Sequence, residues 1–127
     1  MIFGIGTDIV RVGRMEQDLQ RFGERFAERI LTADEFEEFR LNAKPAHFLA
    51  RRFAAKEAAA KAMGTGFANG LSWKHIGVGH DAAGKPVLEF SGEAESFMQR
   101  HGVTVAHISL ADEEDHAVAF VTLEKPA

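Results

Sequence analysis

Cysteine is absent from the 127 residues, which excludes disulfides and thiolate chemistry and fits a reducing compartment. Tyrosine is also absent and tryptophan occurs once, so eleven Phe supply the bulk of the core. No apolar run approaches the ~18 residues of a membrane-crossing helix. The opening MIFGIGTDIV has no basic segment followed by an apolar stretch and a cleavage site, so a soluble, cytoplasmic chain is the expectation. The net charge of −4 gives no general attraction for nucleic acid, and any basic surface must be local. Repeats, low-complexity tracts and linkers are missing as well. The length suits one core and not two, and one domain over residues 1–127 is expected.

Several familiar motifs are present only in part. Gly4-Ile-Gly6-Thr-Asp-Ile9 begins like a dinucleotide fingerprint, but Ile9 stands where the third glycine belongs. Gly79-His-Asp-Ala-Ala-Gly84-Lys85-Pro86 nearly matches a phosphate-binding loop, yet Pro86 replaces the hydroxyl residue that holds magnesium, so a hairpin turn is the better reading. The six histidines lack metal-ligand spacing, and no G-x-S-x-G elbow exists.

What remains is an alternation of strands and helices. Met1 to Thr7 reads as a buried strand with Gly4, Gly6 and Asp8 on one face. From Ile9 to about Ile30 the apolar residues Val12, Met15, Leu19, Phe22 and Phe26 recur at helical spacing, with a break expected near Gly23. Thr32-Ala-Asp-Glu35 is a capping box for a short helix to about Arg40. Pro45 breaks the chain, and an alanine-rich helix follows from about His47 to Met63, ended by Gly64 and Gly66. A hairpin over Ile76–Val78 and Val87–Phe90, a helix near Glu93–Arg100, and a second hairpin over Val103–Leu110 and Ala117–Leu123 complete the pattern. The order predicts an α+β fold with an antiparallel sheet.

Two carboxylates stand out. Glu57 sits among Ala50, Phe53, Ala54 and Ala60, a face against which another element can pack closely. A carboxylate there is expensive to bury unless it is paired or bound to a metal. An ion pair with Lys61, one turn on, is the simpler explanation. Asp8 follows the two glycines of the first strand, where a neighbouring backbone can approach; capping of the next helix would also account for it. If the two converge, they form a hard oxygen site suited to Mg²⁺, which takes one or two carboxylates and completes its shell with water and phosphate. Arg11, Arg14, Arg21 and Arg25 form a basic stripe, read either as a solvated helix face or as a docking strip for an acidic partner.

Taken together, Gly4-Ile-Gly6-Thr7-Asp8-Ile9-Val10, Arg52-Phe53-Ala54-Ala55-Lys56-Glu57-Ala58-Ala59-Ala60-Lys61-Ala62, Gly64-Thr65-Gly66, Gly84-Lys85-Pro86 and Ala106-His107-Ile108-Ser109-Leu110 resemble the bacterial holo-[acyl-carrier-protein] synthases, the small 4′-phosphopantetheinyl transferases. The resemblance spans essentially the whole chain. It implies a homotrimer with active sites between subunits, and transfer of the phosphopantetheine arm of coenzyme A to a serine of apo-acyl carrier protein, within fatty acid biosynthesis. It places Asp8 and Glu57 on magnesium-binding positions and Lys61 near the coenzyme A phosphates, making these three the catalytic candidates. Glu57 is also a candidate acceptor of the serine proton, directly or through a metal-bound water. Lys44, Arg52, Gly64, Thr65 and Ser72 are expected contacts to coenzyme A, with Pro86, His107 and Ser109 contributed by a neighbouring subunit. Arg14, then Arg21 and Arg25, become the expected contacts to the carrier protein. Two competing readings are a magnesium-dependent nucleotide or pyrophosphate hydrolase and a non-catalytic trimer that holds carrier protein.

Overall fold

The alternation that begins at Ile2 persists past Thr7, and the first strand, β1, runs from Ile2 to Arg11 in a computed structural model that describes residues 1–127. The helical spacing from Ile9 onward yields to pairing. Asp8, Ile9, Val10 and Arg11 lie opposite Ala119, Val118, Ala117 and His116, and β-branched Ile9 and Val10 suit a pleated surface. Asp8 is therefore a mid-strand residue and not a helix cap. Arg11 precedes helix α1 (Val12–Phe22) without a side-chain cap, and the first helical N–H, that of Val12, is satisfied by the carbonyl of Asp115 at 2.8 Å.

Gly23, at φ +71°, separates α1 from α2 (Glu24–Ile30) at the expected position. The capping box forms in full at the start of α3 (Ala33–Leu41). Pro45 does not stand outside the alanine-rich helix but opens it, as the first residue of α4 (Pro45–Met63), where its missing N–H costs nothing. A single 3₁₀ turn at Trp73–His75 leads into β2 (Ile76–His80) and β3 (Pro86–Phe90), followed by α5 (Gly92–His101), β4 (Val105–Asp112) and β5 (His116–Glu124). Both expected hairpins form, but they build two antiparallel sheets: β1-β5-β4 and β2-β3. The α+β class stands, with that division added.

Helix α4 is the centre of the molecule. It lies on the inner face of the three-stranded sheet, against buried Ala117, Ala119, Val121 and Leu123. One cluster of 29 buried residues runs through all the layers, so there is one core. The outer face of the same sheet is uncovered. Thr7, Phe120 and Ser109 share a row across it, as do Ile9, Val118 and Ala111, and Ile5, Ile9, Val118 and Phe120 are all exposed.

Candidate active site

Two glycines set the site. A Cβ on Gly4 would lie 1.9 Å from the carbonyl oxygen of Ala62, and one on Gly6 would lie 1.9 Å from that of Ala58. Neither glycine has a positive φ; they are needed for close approach and not for backbone conformation. With alanines facing them, β1 rests on the backbone of α4. Asp8 lies two residues beyond Gly6 on the same strand face, and Glu57 immediately precedes Ala58. Both carboxylates therefore border one strand–helix seam.

Lys61 joins the seam from the other end. Its Nζ donates to the Thr7 carbonyl and to Asp8 Oδ1, each at 3.0 Å. The simple ion pair between Glu57 and Lys61 does not form. Glu57 instead accepts a hydrogen bond from the indole Nε1–H of Trp73 at 3.2 Å. Asp8 is mostly covered, while the Lys61 side chain is half exposed.

The donor set suits a hard divalent ion. Both groups are carboxylates, both are partly accessible, and the only ion pair to either is that of Lys61 with Asp8. No three or more His, Cys, Asp or Glu are arranged so that they could hold a metal ion by themselves. An ion held by these two carboxylates alone would have to complete its shell with oxygens from outside the chain.

Helix α4 ends beside this seam. Gly64 adopts the left-handed conformation (φ 79°) and returns its N–H to the carbonyls of Ala60 and Lys61. The hydroxyl of Thr65, just beyond, is buried without any hydrogen-bond partner. Such atoms are uncommon in folded proteins and call for a reason. Ser72 is half-buried, and its hydroxyl caps the 3₁₀ turn by accepting from Lys74 N–H at 3.2 Å. Lys44 is exposed at the start of α4.

Arg52 departs from expectation. It is 4% exposed and faces the core, donating to Glu35 at 3.3 Å, to the Val78 carbonyl at 2.9 Å and to Glu38 at 3.1 Å. Its guanidinium also packs over Phe48. With these donors committed internally, Arg52 holds α4 to Glu35, Glu38 and β2. Pro86, His107 and Ser109 are also away from the seam. Pro86 opens β3 opposite His80. His107, 3.2 Å from Glu124, and Ser109 lie on the uncovered outer face of the three-stranded sheet.

The basic stripe divides. Arg11 ends β1, Arg14 and Arg21 lie on α1, and Arg25 follows the break on α2. Arg14 stacks 5.5 Å from the ring centroid of Phe53, one turn of α4 before Glu57, so it borders the site. Arg21 packs over Phe22, and Arg25 shares a shallow groove with Arg29 and Lys74.

A buried charge cluster had no counterpart in the sequence reading. Lys56 is fully buried and donates to Glu35 at 2.6 Å, to the Trp73 carbonyl at 3.1 Å and to the Ile76 carbonyl at 2.5 Å. Burial lowers its pKa from the ordinary lysine value; the attraction of Glu35 opposes that shift without cancelling it, and Arg52 adds to it. Glu35 serves the capping box at the same time, and also accepts from Val78 N–H. The available signal was the spacing of Arg52 and Lys56, one turn apart on a helix otherwise lined with alanine. Lys56→Met should destabilise the fold by ~3 kcal/mol, because two carbonyls lose their donor and Glu35 loses a partner; thermal unfolding followed by circular dichroism reads this.

A family model described as the 4′-phosphopantetheinyl transferase superfamily matches residues 4–121. The chain belongs to that superfamily and, within it, to the enzymes of the holo-[acyl-carrier-protein] synthase family. A holo-[acyl-carrier-protein] synthase of Nitrosococcus oceani is 59% identical over 97% of this chain and 80% of its own. The crystal structure of the Neisseria meningitidis holo-[acyl-carrier-protein] synthase superposes with a TM-score of 0.93 at 47% identity, covering 98% of this chain and 100% of that one. The Bacillus anthracis synthase, solved in complex with CoA (3′,5′-ADP), gives 0.82 at 38% identity, covering 99% of each chain.

Proposed function

We propose that residues 1–127 act as one 4′-phosphopantetheinyl transferase domain, moving the phosphopantetheine arm of coenzyme A onto a serine of apo-acyl carrier protein in the cytoplasm, for fatty acid biosynthesis. The observation that carries this reading is the glycine–alanine seam, with Lys61 of the helix bonded across it to Asp8 of the strand and Glu57 one turn before Lys61. The serine oxygen attacks the phosphorus that bears pantetheine. A new P–O bond forms, the bond to the departing adenosine 3′,5′-bisphosphate breaks, and the serine proton must be accepted. Little of this is covalent work for the protein; it is positioning and charge stabilisation.

Asp8 and Glu57 are the residues that would hold Mg²⁺. When bound, the ion supplies Lewis acidity and a template for the pyrophosphate oxygens. Lys61 has its ammonium against Asp8 in the resting chain and needs only side-chain rotation to meet those oxygens. Glu57, at the same seam, is the candidate acceptor of the serine proton. The unpartnered Thr65 hydroxyl supports a coenzyme A contact there, beside Gly64; Ser72 and Lys44 remain candidates at the edges. No helix is long and apolar enough to cross a membrane, in keeping with a cytoplasmic enzyme.

The uncovered sheet face supports a homotrimer. Phe120 is 47% exposed and Ile9 63%, and large side chains on one sheet face are stabilised by a partner. His107 and Ser109 share that face, so an assembly through it would carry them to a neighbouring subunit's site; Pro86 belongs to the other sheet and remains a candidate by resemblance alone.

Mass spectrometry of apo-acyl carrier protein incubated with coenzyme A and Mg²⁺ tests the reaction. A gain of one phosphopantetheine, lost on chelation, is expected; release of adenosine bisphosphate without any acceptor would indicate a hydrolase instead. For docking, Arg14→Glu should raise KM for the acidic carrier protein about tenfold or more, with coenzyme A binding unchanged. Equal loss of both would remove Arg14 from the docking surface.

A further inference from the structure

Glu57 is presented by a surface helix position with a rotatable side chain, and Lys61 one turn away is its natural partner. Pairing with Lys61 would offset the charge of Glu57. The structure avoids this at Glu57 alone, since Asp8 does carry the ammonium. Lys61 is taken by Thr7 and Asp8, and Glu57 Oε1 is held at 3.2 Å by the indole N–H of Trp73. The indole is neutral, so it fixes the carboxylate without neutralising it and leaves Oε2 for a ligand.

Trp73 is itself firmly placed. Its ring packs against Phe53 at 5.9 Å and Phe67 at 5.4 Å. Its carbonyl accepts from Lys56 Nζ at 3.1 Å, and that ammonium is bound to Glu35 at 2.6 Å. Lys56 and Glu57 are consecutive on α4 and face in different directions. One helix thus presents the carboxylate and, through the next-door ammonium, anchors the turn whose indole orients it.

We propose that Trp73 is the positioning residue for Glu57, and that Lys56 and Glu35 hold Trp73 in register with it. This rests on the reading of Glu57 as a cation ligand. Partners that orient a metal ligand through its second atom are typically worth 10–100-fold in metal affinity or activity.

The test compares wild type, Trp73→Phe and Glu57→Gln, with Mn²⁺ as a spin-active probe added to the protein alone and free Mn²⁺ counted by electron paramagnetic resonance. Phe keeps an aromatic ring between Phe53 and Phe67 and removes the donor together with part of the indole's bulk. Incorporated benzothienylalanine, with sulfur in place of N–H, is the isosteric check should Phe disturb folding. Trp73→Phe should weaken Mn²⁺ binding about tenfold. It should also raise the Mg²⁺ concentration for half-maximal turnover by a similar factor, with KM for carrier protein unchanged. Since Trp73 is the only tryptophan, Mg²⁺ should also shift the emission of the wild type and not that of Glu57→Gln. Wild-type Mn²⁺ affinity in Trp73→Phe, alongside its loss in Glu57→Gln, would overturn the positioning role alone. Unchanged affinity in Glu57→Gln would overturn the cation-ligand reading and the positioning role with it.

Discussion

Glu57→Gln should lower turnover about a thousandfold while the protein folds and melts as the wild type does. Gln keeps the length of the side chain and an oxygen able to accept from Trp73 Nε1–H, so the contact at 3.2 Å can survive. What goes is the negative charge. An ion that acts as Lewis acid supplies several kcal/mol of stabilisation to the transition state, and ~4 kcal/mol corresponds to roughly a thousandfold in rate. Asp8→Asn should behave alike, with a second effect: the Lys61 ammonium loses its partner at 3.0 Å. The measurement is kcat/KM for phosphopantetheine transfer at saturating Mg²⁺, beside a thermal melt. Activity within tenfold of wild type in both variants would remove the seam from the chemistry.

Gly6→Ala should damage the fold more than alanine at any glycine with open space around it. The new Cβ would sit 1.9 Å from the Ala58 carbonyl oxygen and 2.7 Å from the Ala62 nitrogen. Both are backbone atoms of a helix buried on nearly every side, so no side chain can swing aside. Overpacking of well-filled sites typically costs 1–3 kcal/mol, and a backbone obstacle belongs at the top of that range. Loss of ~3 kcal/mol corresponds to a fall in Tm of roughly 10 °C for a chain of this size. Activity should fall further than stability explains. Asp8 is two residues along the same strand, and pushing β1 off α4 separates it from Glu57; a displacement of ~1 Å can cost a hundredfold in rate. Gly13→Ala is the matched control, since nothing lies within 4 Å of the added carbon there. Equal melting temperatures for Gly6→Ala and Gly13→Ala would contradict the close seam.

Much of the fold was legible in the chain. Gly23 and Gly64 were read as helix ends and occur at positive φ, and the Thr32–Glu35 box forms as written. The turn at Asp81–Gly84 joins β2 and β3, with Asp81 accepting from Ala83 and Lys85 N–H at 2.9 Å. These signals are local: one residue's conformational preference or one side-chain bond decides them. The failures were at places where distant chain decides. Ile9 to Arg11 has helical spacing on one side and strand alternation on the other, and only the ladder with β5 resolves it. The burial of Arg52 was not legible because it depends on Glu35, Glu38 and Val78, none of them a sequence neighbour.

By itself the sequence determined that the chemistry needs no thiol and that a glycine strand and an alanine helix can approach closely, with Asp8 following the glycines and Glu57 and Lys61 on the helix. The chain's own periodicities and the sizes of its side chains are enough for this. Tertiary structure alone decided the partners. Lys61 chose Asp8 over Glu57, Glu57 took the indole of Trp73, and Lys56 and Arg52 turned inward to Glu35. A charged side chain one turn from several candidates selects among them by burial and distance, and those quantities exist only once the helix has been laid against the sheet.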